Sequence, residues 1–310
     1  MRMHQSGSSR AAATHDRLDR MRSHPVALPR LHRAARIDDA IHEFREKWAR
    51  KRGHLPTVIP YAGYGSVTRV RVLGRELHAK PPKPGSRRSL PWRRKEERVR
   101  GWRSFTSVPV GSVDVTIEIE GIVRTVQADR GGVVDTTVEV ELEPGWHTIT
   151  MHTEGSDTVE APVNIVAPDT DFGIVCDIDD TVMVTALPRP FLAFWNTFVL
   201  NEHARTPTPG MAVFLERLTS AHPGAPVIYL STGAWNVAPT LTRFLSRNLY
   251  PRGPLLLTDW GPTPDRFFRS GPEHKRSNLK RLAEQFPDGR WVLSGDVGQH
   301  DEWIVGAVAR

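Results

Sequence analysis

The 310-residue chain has a single cysteine, Cys176. One thiol cannot form a disulfide within the chain, so nothing in the sequence requires an oxidising compartment. The sequence also lacks an apolar run long enough for a membrane-spanning helix. Residues 1–36, rich in Arg, His and Ser, lack the apolar core of a secretory signal and are interpreted as a tail. These absences predict a cytoplasmic protein without an integral membrane segment, and they leave the oligomeric state open.

Acidic residues are scarce in one part of the chain. Residues 80–103 contain ten basic and two acidic residues, which accounts for the net charge of +7 of the whole protein. The prolines and arginines of this stretch predict a long exposed loop. Such a loop either binds anionic lipid, at roughly 1 kcal/mol per well-placed Lys or Arg, or is simply solvated. A nucleic-acid partner is not expected.

Hydrophobic spacing indicates two folded parts. Residues 1–54 combine the basic tail with an amphipathic helix, which the apolar spacing predicts over residues 36–52. From residue 55 to residue 167, apolar and polar residues alternate, most clearly over residues 113–119 and 134–142. Gly- and Pro-containing turns separate these runs, so successive strands are expected to pair antiparallel. This part is predicted to be a small β-sandwich-like domain.

From residue 168 to residue 310, short apolar runs alternate with helical segments. Strands are predicted over residues 173–176, 226–230, 254–257 and 290–293, and helices over residues 211–222, 237–247 and 275–286. Strands that alternate with helices are typical of a parallel sheet with crossover helices. The expected fold class is therefore α/β, with a Rossmann-like parallel sheet that carries helices on both faces.

Two aspartates follow the first predicted strand of this second part. The apolar run Ile174-Val175-Cys176 leads into Asp177 and Asp179, and ligands of open α/β sheets gather at the carboxyl ends of the strands. Alternation in an extended chain places both carboxylates on the same side, where one can attack while the other transfers protons. Taken alone, such a pair is more often a solvated acidic turn, so the other segments decide between the two interpretations.

Three further segments favour a phosphoryl-transfer site. Ser231 follows an apolar strand and offers a hydroxyl donor for a phosphoryl oxygen. Lys275 opens a predicted helix, where its ammonium and the helix N-terminus both favour bound negative charge. Asp296 and Asp301 follow the last predicted strand and provide hard oxygen ligands of the kind that suit Mg²⁺.

Taken in order, the four segments resemble the haloacid dehalogenase superfamily. Within it, residues 177–181, 230–236, 257–261 and 295–301 are similar to the catalytic domain of the actin-patch type of phosphatidate phosphatase, and residues 60–65 and 74–75 to the β-rich region that precedes it in bacterial members. Two departures stand out. The segment Ser231-Thr232-Gly233-Ala234-Trp235 lacks the second serine and the proline common in the family, and the chain ends nine residues beyond Asp301.

The resemblance implies a role for each of these residues. Asp177 is expected to be the nucleophile, and Asp179 the acid that protonates the leaving group and then activates water. Ser231 and Lys275 are expected to bind the phosphoryl oxygens. The implied cofactor is Mg²⁺, and its ligands would be Asp177, Asp179, Asp296 and Asp301, the last through water or a neighbouring ligand.

The substrate is the most open part of the prediction. About fifty residues separate Asp177 from Ser231, too few for a large cap domain, and an uncapped site suits a bulky or membrane-borne substrate. The aromatic residues 190–200 either dip into a bilayer or pack as an ordinary helix. The resemblance implies phosphatidate at a membrane surface, with peripheral attachment. The alternatives are another phosphomonoester, either a soluble metabolite or a nucleic-acid end, or a membrane-binding module without turnover.

Overall fold

The computed structural model describes residues 51, 53–79, 108–109, 113–129, 131–184, 206–258 and 271–295. These ranges contain fifteen strands and three complete α-helices. No helix within them is both long enough and apolar enough to cross a membrane. The predicted loop over residues 80–103, the aromatic segment 190–200 and the predicted helix over residues 36–52, except Lys51, lie outside the described residues.

The first nine strands form one mixed sheet. They are β1 (Leu55–Pro60), β2 (Gly63–Ser66), β3 (Arg69–Ala79), β4 (Val108–Pro109), β5 (Asp114–Ile119), β6 (Ile122–Gln127), β7 (Val133–Glu139), β8 (Gly145–Thr153) and β9 (Val159–Val166). The sheet runs in the order β1-β3-β2-β9-β8-β5-β6, with β4 and β7 also paired to β3. Only the β2–β9 pair is parallel.

Strand β3 is buried on both faces, which is why it joins two cores. Its side chains alternate between the faces: Val70 and Val72 belong to a core formed entirely by the β-rich part. Leu73 and Leu77 point the other way, into a core that also contains Ile174 and other residues beyond position 168. The two halves of the chain therefore share one hydrophobic core.

The remaining strands include a four-stranded parallel sheet. The elements are β10 (Phe172–Asp177), β11 (Met183–Val184), β12 (Thr206–Pro207), α1 (Met211–Ala221), β13 (Val227–Ala234), α2 (Ala238–Arg247), β14 (Leu255–Thr258), α3 (Gly271–Gln285) and β15 (Arg290–Ser294). The sheet order is β14-β13-β10-β15, and β11 pairs with β12 separately. Asp177 lies opposite Leu230, and Cys176 opposite Ser294. The carboxyl ends of β10, β13 and β15 consequently meet at one edge.

The predicted fold class is wrong for the described chain. Strands of the nine-stranded, mainly antiparallel sheet outnumber those of the parallel sheet, and the described residues contain only three complete helices. They therefore do not form an α/β fold with a Rossmann-like sheet and helices on both faces. The β-rich part is also one continuous sheet, not the two separate sheets of a small sandwich. The reason is β3: β7 pairs with one of its edges, while β2 and β1 share the other. The alternation of apolar and polar residues within a strand does not predict which other strands pair with it.

A buried arginine connects the β-rich part to α3. Arg71 is 4% exposed and donates two hydrogen bonds of 2.7 Å to the carboxylate of Asp135. It also donates to Tyr64 Oη at 3.0 Å and to Asn278 Oδ1, on α3, at 2.9 Å. Arg281, also on α3, reaches Asp135 at 3.3 Å. Burial would lower the pKa of Arg71, but the hydrogen bonds and charges of Asp135 and Tyr64 together outweigh it and raise the pKa, so the guanidinium stays charged.

We expect Asp135→Asn to lower the free energy of unfolding by about 2 kcal/mol near neutral pH, because it leaves two arginines with a weaker partner. Burial would raise the pKa of Asp135, but Arg71 and then Arg281 lower it below 3.8. A lowered folded-state pKa stabilises the protein above the unfolded-state pKa, and the stabilisation is lost as the pH falls through the folded-state value. Urea unfolding should therefore show a difference between wild type and variant that is constant above about pH 5 and shrinks below about pH 4.

The matched control is Asp171→Asn, which removes an exposed ion pair with Arg290. Exposed pairs contribute little, so its effect should stay within about 0.5 kcal/mol. A difference for Asp135→Asn that persists unchanged at low pH would contradict the ionic explanation.

Candidate active site

Asp177 ends the central strand of the parallel sheet. The strand forms because Ile174, Val175 and Cys176 are apolar and are buried between β13 and β15. Lys275 Nζ lies 2.9 Å from Asp177 Oδ1, and both side chains are 6% exposed. The carboxylate is therefore buried beside an opposite charge, which offsets part of the cost of removing it from water.

A tight turn places Asp179 in the same site. The carbonyl of Ile178 accepts the N–H groups of Val182 and Met183, at 3.0 and 3.2 Å. Asp180 takes a left-handed conformation, φ 58°, and is exposed, whereas Asp179 is buried. The chain thus turns back immediately after Asp179, so a turn, not a longer extended strand, brings its carboxylate to the end of β10.

Ser231 contacts Asp179 directly. Its hydroxyl donates to Asp179 Oδ2 at 2.9 Å and accepts the N–H of Gly233 at 2.9 Å. Burial raises the pKa of Asp179 to about 6. The hydrogen bond from Ser231 and the charge of Lys275 act in the opposite direction and lower the pKa. A carboxyl group that titrates this close to neutrality is suited to both donating and accepting a proton.

Lys275 lies in the second turn of α3, not at its first residue as the sequence predicted, because the helix spans Gly271–Gln285. Lys275 therefore contributes to the site through the charge of its own ammonium and through its contact with Asp177. The start of α3 packs closely on the segment after Ser231: a Cβ at Gly271 would lie 2.7 Å from Thr232 Cγ2. The two elements that carry Lys275 and Ser231 are in direct contact.

Other residues that support the site were not predicted. Thr258 Oγ1 donates to the carbonyl of Thr232 at 2.8 Å. Tyr61 contacts Trp235, and Asn278 contacts the helical turn that contains Lys275. The sequence contains two features that could have indicated these residues. Asn278 follows Lys275 at helical spacing, and Tyr61 lies within the segment 60–65 that resembles the β-rich region of the family.

The predicted metal ligands are only partly described. Asp296 and Asp301 lie outside the described residues, and within those residues no group of three or more His, Cys, Asp or Glu side chains could hold a metal ion. Asp177 and Asp179 nevertheless fit a hard cation such as Mg²⁺, because they place oxygen donors together at one strand end. Burial raises the pKa of Cys176 to about 12, so this thiol stays protonated and is not suited to act as a nucleophile.

Comparison with known proteins gives one family match and one curated relative. Residues 172–310 match the family model described as the phosphatidate phosphatase APP1 catalytic domain. The chain is 25% identical over 219 residues to phosphatidate phosphatase APP1 of Saccharomyces cerevisiae, a match that covers 66% of this chain and 36% of the yeast protein. The chain therefore spans about a third of that relative's length. Both matches confirm the resemblance inferred from the sequence motifs.

Two solved structures share a distant likeness. The Pnkp1/Rnl/Hen1 complex aligns with a TM-score of 0.34 and 20% identity, over 47% of this chain and 50% of the other. A carbohydrate acetylesterase from Xanthomonas citri aligns with a TM-score of 0.26 and 8% identity, over 79% of this chain and 70% of the other. Both TM-scores are too low to inform fold or function.

Proposed function

From the match of residues 172–310 to the APP1 catalytic domain family, we propose that this chain is a phosphatidate phosphatase that hydrolyses phosphatidate to diacylglycerol and phosphate. The observation that carries the proposal lies within the matched residues. It is the buried Lys275–Asp177 pair beside the Asp179–Ser231 hydrogen bond. These contacts support the proposal, because they join the four side chains to which we assign nucleophilic attack, proton transfer and phosphate binding.

Asp177 is the proposed nucleophile. Its carboxylate oxygen attacks phosphorus in line, and the bond from phosphorus to the glycerol oxygen breaks as the aspartyl-phosphate forms. Lys275, 2.9 Å from Asp177 Oδ1, reduces the repulsion between the carboxylate and the anionic substrate. Lys275 and Ser231 then hold the phosphoryl oxygens as their charge shifts in the transition state.

Asp179 is the proposed acid and base. In its protonated form it gives a proton to the departing diacylglycerol oxygen. It then takes a proton from the water that attacks the aspartyl-phosphate, so that phosphate leaves and both aspartates return to their starting state. Its raised pKa of about 6 keeps both forms accessible near neutral pH.

Mg²⁺ is the proposed cofactor. Its ligands would be Asp177, the backbone carbonyl of Asp179, Asp296 and Asp301. When bound, it supplies positive charge that offsets the negative charge of the phosphate and the carboxylates. This chemistry corresponds to that of the haloacid dehalogenase superfamily.

The wider assignment follows from the same proposal. We place the β-rich domain at residues 55–167 and the catalytic domain at residues 168–310, after the tail and helix of residues 1–54. The substrate is a phospholipid at a membrane surface, and the protein is cytoplasmic with peripheral contact to that membrane. The short distance from Asp177 to Ser231, about fifty residues, supports a site open to a bulky lipid.

The test is phosphate release by the purified full-length chain from phosphatidate in mixed micelles and from a soluble ester, p-nitrophenyl phosphate. Each substrate is assayed with MgCl₂ and with EDTA, and Asp177→Asn serves as the catalytic blank for contaminating phosphatases. We expect kcat/KM for phosphatidate to exceed that for the soluble ester by at least about tenfold, a difference of 1.4 kcal/mol in transition-state binding. We also expect EDTA to remove the activity.

The other outcomes separate the alternatives. Release from the soluble ester alone would retain the chemistry and reject the lipid substrate. Undiminished release in EDTA would reject the cofactor. The absence of release from both substrates would favour a membrane-binding module without turnover.

A further inference from the structure

The two elements that carry the phosphate-holding residues also contact the β-rich part of the chain. The segment that follows Ser231 contacts Tyr61, and helix α3, which carries Lys275, contacts Arg71. Tyr61 and Arg71 are 7% and 4% exposed. Both lie more than a hundred residues before the catalytic motifs, in a region to which the proposed chemistry gives no role.

Tyr61 fixes the main chain of the segment after Ser231. Its ring stacks on Trp235 with a centroid distance of 4.8 Å and an interplanar angle of 14°. Its hydroxyl donates to the carbonyl oxygen of Trp235 at 3.1 Å. Trp235 follows Ser231 by four residues, and Gly233 between them donates its N–H to the Ser231 hydroxyl. Because the contact is to a carbonyl, it restrains the backbone as well as a side chain.

Arg71 restrains the helical turn that contains Lys275. It donates to Asn278 Oδ1 at 2.9 Å, and Asn278 Nδ2 donates to the carbonyl oxygen of His274 at 3.0 Å. His274 is the residue before Lys275. A chain of two hydrogen bonds therefore leads from β3 to the backbone beside the lysine that pairs with Asp177.

The hydrogen bonds of Arg71 are better suited to fixing the orientation of α3 than to adding stability. A buried Arg–Asp pair often stabilises a protein no more than apolar residues of similar volume would. A guanidinium, however, presents its donors in a rigid plane, and each of its three nitrogens here has an acceptor in a set direction, on Asp135, Tyr64 or Asn278. Such a contact resists rotation and sliding of α3 against β3 more effectively than apolar packing does.

We propose that Tyr61 and Arg71 are positioning residues, through which the β-rich part holds Ser231 and Lys275 in the geometry that binds a phosphoryl group. The inference rests on the proposed function because it takes Ser231 and Lys275 as the phosphate-holding residues. Tyr61 acts through Ser231, and Arg71 acts through Asn278 on Lys275. On this view the β-rich part completes the phosphate-binding site.

The probe is inorganic phosphate, and the measurement is its dissociation constant for the folded full-length chain with MgCl₂, by calorimetry. Tyr61→Phe removes only the hydroxyl, and Asn278→Ala removes the link to Arg71 while leaving the Arg71–Asp135 pair intact. We expect each to weaken phosphate binding by about fivefold, the effect of losing one hydrogen bond of about 1 kcal/mol. Arg281→Ala is the matched control on the same helix, because it loses a contact with Asp135 but leaves the hydrogen bonds from Arg71 to Asn278 and from Asn278 to His274 in place.

Double-variant cycles test whether Tyr61 acts through Ser231 and Asn278 through Lys275. Tyr61→Phe should weaken phosphate binding no further when Ser231 is already alanine, and Asn278→Ala should weaken it no further in Lys275→Ala. Unchanged phosphate affinity, with only a lower melting temperature, would mean that Tyr61 and Arg71 stabilise the fold alone. Equal weakening with and without Ser231 or Lys275 would also overturn the proposal. Binding is measured without turnover, so failure to hydrolyse phosphatidate would reject the substrate and leave this test intact.

Discussion

Asp177→Asn is expected to lower kcat for phosphate release by about 10⁴-fold, and Lys275→Met by about 10³-fold. The first change replaces the carboxylate that we propose as the nucleophile by a neutral amide. The second removes the cation 2.9 Å from it, and methionine has a similar length but no charge. The measurement is steady-state phosphate release at saturating substrate, with each variant shown to be folded at the assay temperature.

The Lys275–Asp177 pair also predicts that substitutions change activity and stability in different ways. Lys275→Met leaves the buried Asp177 carboxylate without its ammonium partner, which should cost about 3 kcal/mol of unfolding free energy in EDTA. The double variant Asp177→Asn, Lys275→Met has no buried charge at this position, so it should recover most of that stability and remain inactive. Urea unfolding of the three variants checks this expectation.

The control for this pair is Lys280→Met, on the same helix. Lys280 is 74% exposed and pairs with Glu284 at 3.7 Å, so both activity and stability should stay near the wild-type values. Lys275→Met with wild-type kcat would remove Lys275 from the site. A double variant less stable than Lys275→Met would contradict the buried-charge explanation.

Gly65→Ala is expected to destabilise the protein by about 3 kcal/mol, a large effect for a single methyl group. A Cβ at Gly65 would lie 2.2 Å from the carbonyl oxygen of Arg69 and 2.8 Å from the Cα of Val70. Both are backbone atoms of the facing strand, which no side-chain rotation can move away. The β2–β3 pairing would have to open, and Tyr64, which is fully buried beside it, would shift.

The measurement is urea unfolding followed by circular dichroism, with Gly289→Ala as the matched control. A Cβ at Gly289 would lie 3.4 Å from its nearest neighbour, the carbonyl oxygen of Phe286, so its effect should stay below about 1 kcal/mol. Because the two halves share a core, we expect Gly65→Ala to lower the midpoint of the whole transition. A separate early transition, with residues 168–310 unaffected, would contradict a shared core.

Several elements of residues 168–310 could be predicted from the sequence. The strands expected at residues 173–176 and 290–293 correspond to β10 and β15 within one residue. These strands are short, mostly apolar runs that end at polar residues, so local composition identifies them. Helix α3 was predicted to begin at residue 275 but begins at Gly271, because its first turn is polar and shows no apolar periodicity.

Strand β3 shows why the β-rich part was harder to predict. Its sequence places Arg71, Arg75, Glu76 and His78 among apolar residues, a pattern typical of a half-exposed strand. In the structure all four are buried. Arg71 is covered by α3, which supplies the acceptor of Asn278 from the other half of the chain. No local pattern indicates that a second surface will cover a charged face.

The sequence by itself determined the chemical groups and their order along the chain: two aspartates after a strand, a serine after the next and a lysine on a later helix. These are local features, readable within a few residues. Only the tertiary structure decided the class of the sheets, the shared core and the contacts of Tyr61 and Arg71 with the site. Those contacts join residues 174 and 207 positions apart, and periodicity within one element carries no information about a partner so distant in the chain.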